Sequence, residues 1–253
     1  MKSNSIVFVH GIYMNPLCWE HWIVNYQDKG YKCLAPAWPA RDQPIETLRK
    51  NHPDMQLGKL TLSNVLEHFT DIIKTLDEKP ILIGHSMGGL VVQLLLQGDL
   101  VAAGIAIDSA PPKGVFTTKW PFLKSNWPHI TPFVSQKSPI EMTFERFQYT
   151  FVNTLPFAEQ RAAYDRYVVP ESRHVPRESL TARVDFKKPH PPFIISCWFI
   201  RQPYPGFSQQ DELCQIQTVT FSYRLYGVRG TNSFYRRAEG LGRSCWLYPF
   251  LVE

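Results

Sequence analysis

The chain has 253 residues, of which 44% are hydrophobic, 13% aromatic and 19% charged. That is enough for one full-sized core, or a core with a subdomain, and it excludes a fibrous or natively unfolded protein. The formal charge of +5, from 27 Lys and Arg against 22 Asp and Glu, is modest and not gathered into a basic block, so nucleic acid is not expected as a partner.

The N-terminus, MKSNSIVFVHG, enters a β-branched run within a few residues and leaves no room for a charged region, apolar core and cleavage site, so a cytoplasmic location is expected. The longest apolar run, residues 90–96, is interrupted by Gln93 and falls far short of the roughly 20 residues of a bilayer span. No membrane crossing is expected. Cys18, Cys33, Cys197, Cys214 and Cys245 form an odd set without a C-x-x-C pair, which points to buried or idle thiols rather than a disulfide framework or a zinc site.

In chain order, residues 5–9 (SIVFV) and 32–35 read as short buried strands. Leu62, Val65, Leu66, Phe69, Ile72, Ile73 and Leu76 recur at three- and four-residue steps, which places them on one face of a helix and puts His68 on its solvated side. Pro80 stops that helix, residues 81–83 form another strand, and a helical run over 90–97 is closed by Gly98. Residues 103–107 (AGIAI) form a further strand. Strands without polar alternation, separated by helices, imply a mostly parallel sheet covered on both faces, hence an α/β fold. Residues 1–110 are the first part of this core. Residues 111–184, with aromatic residues scattered among prolines and helical stretches, read as a helical lid inserted into it. Most of those aromatics serve the insertion's own packing; some are candidates for lining an apolar substrate pocket. Residues 185–253 are the expected remainder of the core.

Gly84-His85-Ser86-Met87-Gly88 is a G-x-S-x-G lying between a buried strand and a helix, the context that gives the motif mechanical meaning. A serine on so sharp a turn is held in a strained backbone conformation with Oγ projecting above the sheet, and glycines at 84 and 88 let strand and helix approach. The helix start aims the Met87 amide at a developing oxyanion, a donor worth roughly 3 to 4 kcal/mol of barrier. His10-Gly11-Ile12 follows the first strand. Gly11 permits a tight turn, so the Ile12 amide becomes the candidate second oxyanion donor. His10 reads as a structural hydrogen-bonding residue of that loop and His85 as packed under the turn.

VFVHG and ILIGHSMGG together resemble the α/β-hydrolase superfamily, in particular its small serine members with a helical lid, over residues 5 to about 192. The resemblance implies Ser86 as nucleophile of a Ser-Asp-His triad in that chain order, with the acid after a late strand and the histidine near the C-terminus. Relatives that open epoxides or cleave carbon–halogen bonds carry aspartate at the elbow, so Ser86 argues against both chemistries. Asp108, at the end of the 103–107 strand, stands where some members place their acid; a cap or surface role fits it equally well. No metal and no organic cofactor is expected, because a positioned base alone activates the hydroxyl.

The tail departs from this pattern. The eight histidines are His10, His21, His52, His68, His85, His129, His174 and His190, and none lies in the late loop that would supply the base. His174 falls in the insertion, and His190 precedes a strand expected over 193–196, at the edge opposite the site. After Lys188 there is no lysine, while six arginines follow from Arg201 to Arg243. Reading codon bases two and three with the first base of the next codon permits a family-like acid loop straddling Arg201 and Gln202. The same frame permits T-H-F with its histidine straddling Ser233 and Phe234, then a closing-helix pattern over 238–246. Hence the segment from about residue 193 is expected to be a frameshifted translation; a divergent tail is the alternative.

Two function classes stay open. One is a serine hydrolase attacking an ester or similar acyl carbon of a small substrate with an apolar part. The other is a binding protein that keeps the pocket without a base. Serine lyases and perhydrolases share the same framework.

Overall fold

A computed structural model describes residues 3–114, 127–129, 131, 133–135, 137–185, 191–199 and 217–221. Six strands, β1 (Ser5–Val9), β2 (Lys32–Leu34), β3 (Ile81–His85), β4 (Ala103–Ile107), β5 (Phe193–Phe199) and β6 (Gln217–Phe221), form one sheet in the order β2-β1-β3-β4-β5-β6. All neighbours run parallel except β6, which pairs antiparallel with β5. The fold is α/β with a parallel sheet flanked by helices.

The sheet has a core on each face because side chains alternate along a strand. From β1, Val7 and Val9 enter one core with Leu82, Val65, Phe69, Leu90 and Val91. Ile6 and Phe8 enter the other, with Ile83, Trp19, Phe147 and Tyr167. The first core is covered by α3 (Leu62–Lys74) and α4 (Met87–Leu95). In α3 the buried residues are Leu62, Val65, Phe69 and Ile73, four of the seven expected from the sequence, with Leu66, Ile72 and, just past its end, Leu76 half-buried. Its start is fixed by a capping box, in which Thr61 Oγ1 accepts from the Asn64 amide and Asn64 Oδ1 accepts from the Thr61 amide, both at 3.1 Å. His68 is half-buried, with Nε2 3.0 Å from the Ala37 carbonyl, and so does not lie on a solvated face as expected. The loop from β2 folds back across the helix and claims that nitrogen.

On the second face lie α1 (Glu20–Gln27) and residues 140–168 of the segment between β4 and β5, whereas Val175 of that segment enters the first core. A short helix α2 (Ile45–Lys50) precedes α3. The long segment contributes α5 (Phe144–Phe147), which runs into a π turn over Gln148–Val152, then α6 (Phe157–Tyr167) and α7 (His174–Ser179). Among the described residues it contains isolated bridges but no strand. Phe147 is buried against Phe151 and Tyr164, whereas Phe133 is 88% exposed. Two corrections concern boundaries. The helix expected over 90–97 begins at Met87, because the elbow glycines belong to its first turn, and the left-handed residue after it is Asp99, φ 53°, rather than Gly98. The strand expected over 193–196 extends to Phe199. Residues 200–216 and 222–253, and His190, lie outside the described residues. No helix among the described residues is long and apolar enough to cross a membrane.

Candidate active site

Strand β3 is hydrogen-bonded on both sides, with Val9 opposite Gly84 and Ile107 opposite His85. The chain must then leave the sheet and enter α4 at once. Ser86 makes that reversal at φ 55°, ψ −120° as the residue before the first helical turn, a conformation that costs a non-glycine residue of order 1–3 kcal/mol. Backbone hydrogen bonds hold it there. The Ser86 amide donates to the Ile107 carbonyl at 2.9 Å, and the Ser86 carbonyl accepts from Ala110 at 2.9 Å and from Gly89 at 3.0 Å.

Close approach explains the flanking glycines. A Cβ on Gly84 would lie 2.2 Å from the Gly88 carbonyl oxygen, and one on Gly88 would lie 2.1 Å from that of Val9. Gly11 brings the loop after β1 to the elbow: a Cβ there would meet Ser86 Cβ at 3.1 Å and Oγ at 3.6 Å. Ser86 and the Gly11-Ile12 loop are therefore neighbours. The Met87 amide lies in the first turn of α4, where no intrahelical acceptor exists. The Ile12 amide has no hydrogen-bond partner among the described residues. The neighbouring Tyr13 amide is already taken, donating to Glu171 Oε2 at 3.0 Å.

His10 is fixed on both ring nitrogens. Nε2 accepts from the Trp38 amide at 3.3 Å, so Nδ1 carries the hydrogen and donates to the Gly11 carbonyl at 2.9 Å. The ring stacks on Trp38 with centroids 4.9 Å apart. Burial, with a contribution from the Arg41 charge, lowers its pKa to about 3, and a neutral ring with both nitrogens occupied has no free lone pair for a proton from Ser86. Burial lowers His85 to about 4. Asp108 follows β4 in a left-handed conformation, φ 43°, and Ile107 before it and Ala110 two residues after it supply two of the backbone bonds that hold Ser86. No cluster of three or more His, Cys, Asp or Glu among the described residues is arranged to hold a metal.

Two polar groupings escaped the sequence reading. Ser109 Oγ accepts from Gln93 Nε2 at 2.6 Å and donates to the Ala110 carbonyl at 2.9 Å, directly behind the elbow. Arg41 and Glu171 form an ion pair with both side chains fully buried. Neither had a local signal, since the first pair is 16 positions apart and the second 130.

The strand-elbow-helix unit, with its glycine loop opposite, sits in a chain that matches the alpha/beta hydrolase family over residues 6–231. The chain belongs to the alpha/beta hydrolase family. The match runs past residue 192, where the sequence resemblance was expected to end, and takes in β5 and β6. Among solved structures, an extracellular alpha/beta-hydrolase from a Paenibacillus species is 25% identical over 76% of each chain, with a TM-score of 0.56; it is described as sharing structural and functional homology with Tobacco Salicylic Acid Binding Protein 2. Polyneuridine aldehyde esterase is 14% identical over 74% of this chain and 76% of its own, TM-score 0.52. A variant of tomato Methylketone Synthase I complexed with beta-ketoheptanoate is 14% identical over 74% of this chain and 75% of its own, TM-score 0.52. At that identity these two bear on the fold alone. Among curated proteins, none matches.

In this alpha/beta hydrolase no described histidine is hydrogen-bonded to Ser86 Oγ. His129 is buried against Tyr13, whose hydroxyl lies 3.2 Å from Nδ1, and burial followed by Arg146, Arg173 and Arg177 lowers its pKa to about 3. His174 opens α7, where its amide donates to Ser172 Oγ at 3.1 Å.

Proposed function

We propose that the chain is built as a serine hydrolase in which Ser86 Oγ attacks the carbonyl carbon of an ester or similar acyl substrate. The observation that carries this reading is the strained Ser86 backbone, φ 55° and ψ −120°, at the head of α4 with Gly11 against its side chain. Such strain is a cost unless a hydroxyl is being presented, and it is found at functional turns for that reason. In the reaction, Oγ adds to the acyl carbon while a base takes its proton, and the carbonyl oxygen becomes an oxyanion received by the amides of Met87 and Ile12. The leaving alcohol departs with that proton. Water then attacks the acyl-enzyme and regenerates Ser86. Neither metal nor cofactor takes part in these steps.

The base comes, on this reading, from the C-terminal tail in its shifted frame, with the acid from the loop after β5, and the printed polypeptide is impaired accordingly. Two observations support this. Near the elbow, both ring nitrogens of His10 are occupied and burial leaves His10 and His85 weak bases, and the sheet, parallel from β2 through β5, reverses direction at β6. The insertion acts as a lid, which its bridge from Val168 to Met14 in the site loop supports. The substrate is a small acyl compound with an apolar part. The missing base equally favours a second reading, a pseudoenzyme that binds such a compound without turning it over. The test is p-nitrophenyl ester hydrolysis by a chain translated in the shifted frame after Ser196. Turnover that Ser86→Ala abolishes and chelators leave untouched is the expected result, and turnover that survives the substitution overturns the serine mechanism. Sequencing the coding DNA between the codons of Asp185 and Gln202 decides the frame.

A further inference from the structure

The Arg41–Glu171 pair has no part in the chemistry above, and yet both side chains are completely buried. A buried ion pair is weak support for stability, because desolvation offsets most of the attraction, and residues of similar volume without charge often do as well. What this carboxylate holds is therefore informative. Its Oε1 accepts from Arg41 and from the Ser172 amide, the latter at 2.6 Å, and its Oε2 accepts from the Tyr13 amide at 3.0 Å. Tyr13 itself is left-handed at φ 63°, a region disfavoured for a bulky residue. Its carbonyl accepts from the Val169 amide at 2.8 Å, and Met14 bridges Val168. Both peptide groups flanking Tyr13 are thus fastened to residues 168–171 of the insertion. Arg41 is set in turn by Trp38, whose ring lies 5.0 Å from the guanidinium carbon and which also stacks on His10. The brace encloses residues 10–14: the Tyr13 and Met14 amides are taken, and the Ile12 amide beside them has no partner among the described residues.

We propose that Glu171, oriented by Arg41, is a positioning residue for the oxyanion loop: by claiming the Tyr13 amide and holding Tyr13 left-handed, it turns the Ile12 amide toward Ser86. The proposal rests on the serine-hydrolase reading and adds to it a reason for the buried charge pair and for the insertion's contact with the loop. It also explains why the insertion must be folded for the hole to exist, since one wall of the brace belongs to each.

The test uses the full chain as printed and an alkyl fluorophosphonate. Ser86 Oγ forms a bond to phosphorus, fluoride leaves, and the hydroxyl proton passes to solvent. Without the triad base this reaction is slow, and the oxyanion hole and binding still supply on the order of a thousandfold over water. The variants are Glu171→Gln and the double variant Arg41→Met with Glu171→Leu, which removes both charges together and so leaves none buried alone. For the double variant the expected result is a thermal midpoint close to the parent's, Ser86 labelling slowed tenfold or more, and faster amide exchange at Tyr13 with α3 unchanged. Glu171→Gln, which keeps an acceptor oxygen, is expected to lose less. Labelling at the parental rate in a folded double variant overturns the positioning role alone. Absence of Ser86 labelling in the parent overturns the hydrolase reading and this inference with it.

Discussion

Replacing Gly88 by alanine tests the packing that sets the elbow. The new Cβ would stand 2.1 Å from the Val9 carbonyl oxygen and 2.6 Å from that of His10, more than about 1 Å inside ordinary van der Waals separation. Both obstacles are backbone of β1 and the turn after it, the strand that pairs with β2 on one side and β3 on the other, so neither can swing away as a side chain would. Overpacking of this kind costs roughly 1–3 kcal/mol. The rigid neighbours put Gly88→Ala at the upper end, and the better helix propensity of alanine returns about 1 kcal/mol. The net loss of about 2 kcal/mol corresponds to a fall in Tm of roughly 4–8 °C for a domain of this size. Because α4 must move, Ser86 moves too, and labelling by a fluorophosphonate should slow in parallel. Gly98→Ala is the control: its nearest neighbours are Leu100 side-chain atoms at 3.6 Å, and the substitution should leave Tm unchanged or slightly raised. Thermal unfolding followed by circular dichroism measures both. Equal midpoints for Gly88→Ala and Gly98→Ala would refute the close-packed elbow.

Ser86→Gly should raise stability by about 1 kcal/mol over Ser86→Ala, since only glycine relieves the φ 55° strain; chemical denaturation that ranks the two equally would argue against stored strain. Acid stability follows from His10 and His129, both buried with pKa values lowered to about 3. The unfolded chain takes up their protons below about pH 6.5 and the folded chain does not, so their effect is nil above that pH. As pH falls from about 6.5 toward 3, stability should drop by about 1.4 kcal/mol per pH unit for each histidine. His129→Phe should flatten that slope in urea titrations, and an unchanged slope would remove His129 from the account. Thr61→Ala should cost about 1 kcal/mol through loss of the α3 capping box, read as a lower urea midpoint at unchanged m-value.

Strands β1 and β4 and the stripe of α3 were legible because their signals are local: an unbroken apolar run for a strand buried on both faces, and apolar residues three and four apart for a helix. Ser86 and Gly11 were legible because close approach of backbone restricts which residue can stand there, and that restriction appears in the sequence as glycine at a strand end. His68 was misread because its partner, the Ala37 carbonyl, comes from a loop 31 positions earlier. Arg41 and Glu171 were invisible for the same reason on a longer scale; each resembles an ordinary surface charge until the insertion folds back onto the β1 loop. The acid and base could not be placed from the printed tail, whose composition changes where β5 begins.

The central claim is that Ser86 is a nucleophile presented to an oxyanion hole and lacking its base in the printed polypeptide. The direct measurement is the rate of fluorophosphonate labelling, mapped by mass spectrometry, for the printed chain beside the chain translated in the shifted frame after Ser196. The account predicts modification at Ser86 in both, faster by a factor of roughly a thousand or more when acid and base are restored. Equal rates in the two chains, or modification at a residue other than Ser86, would contradict it.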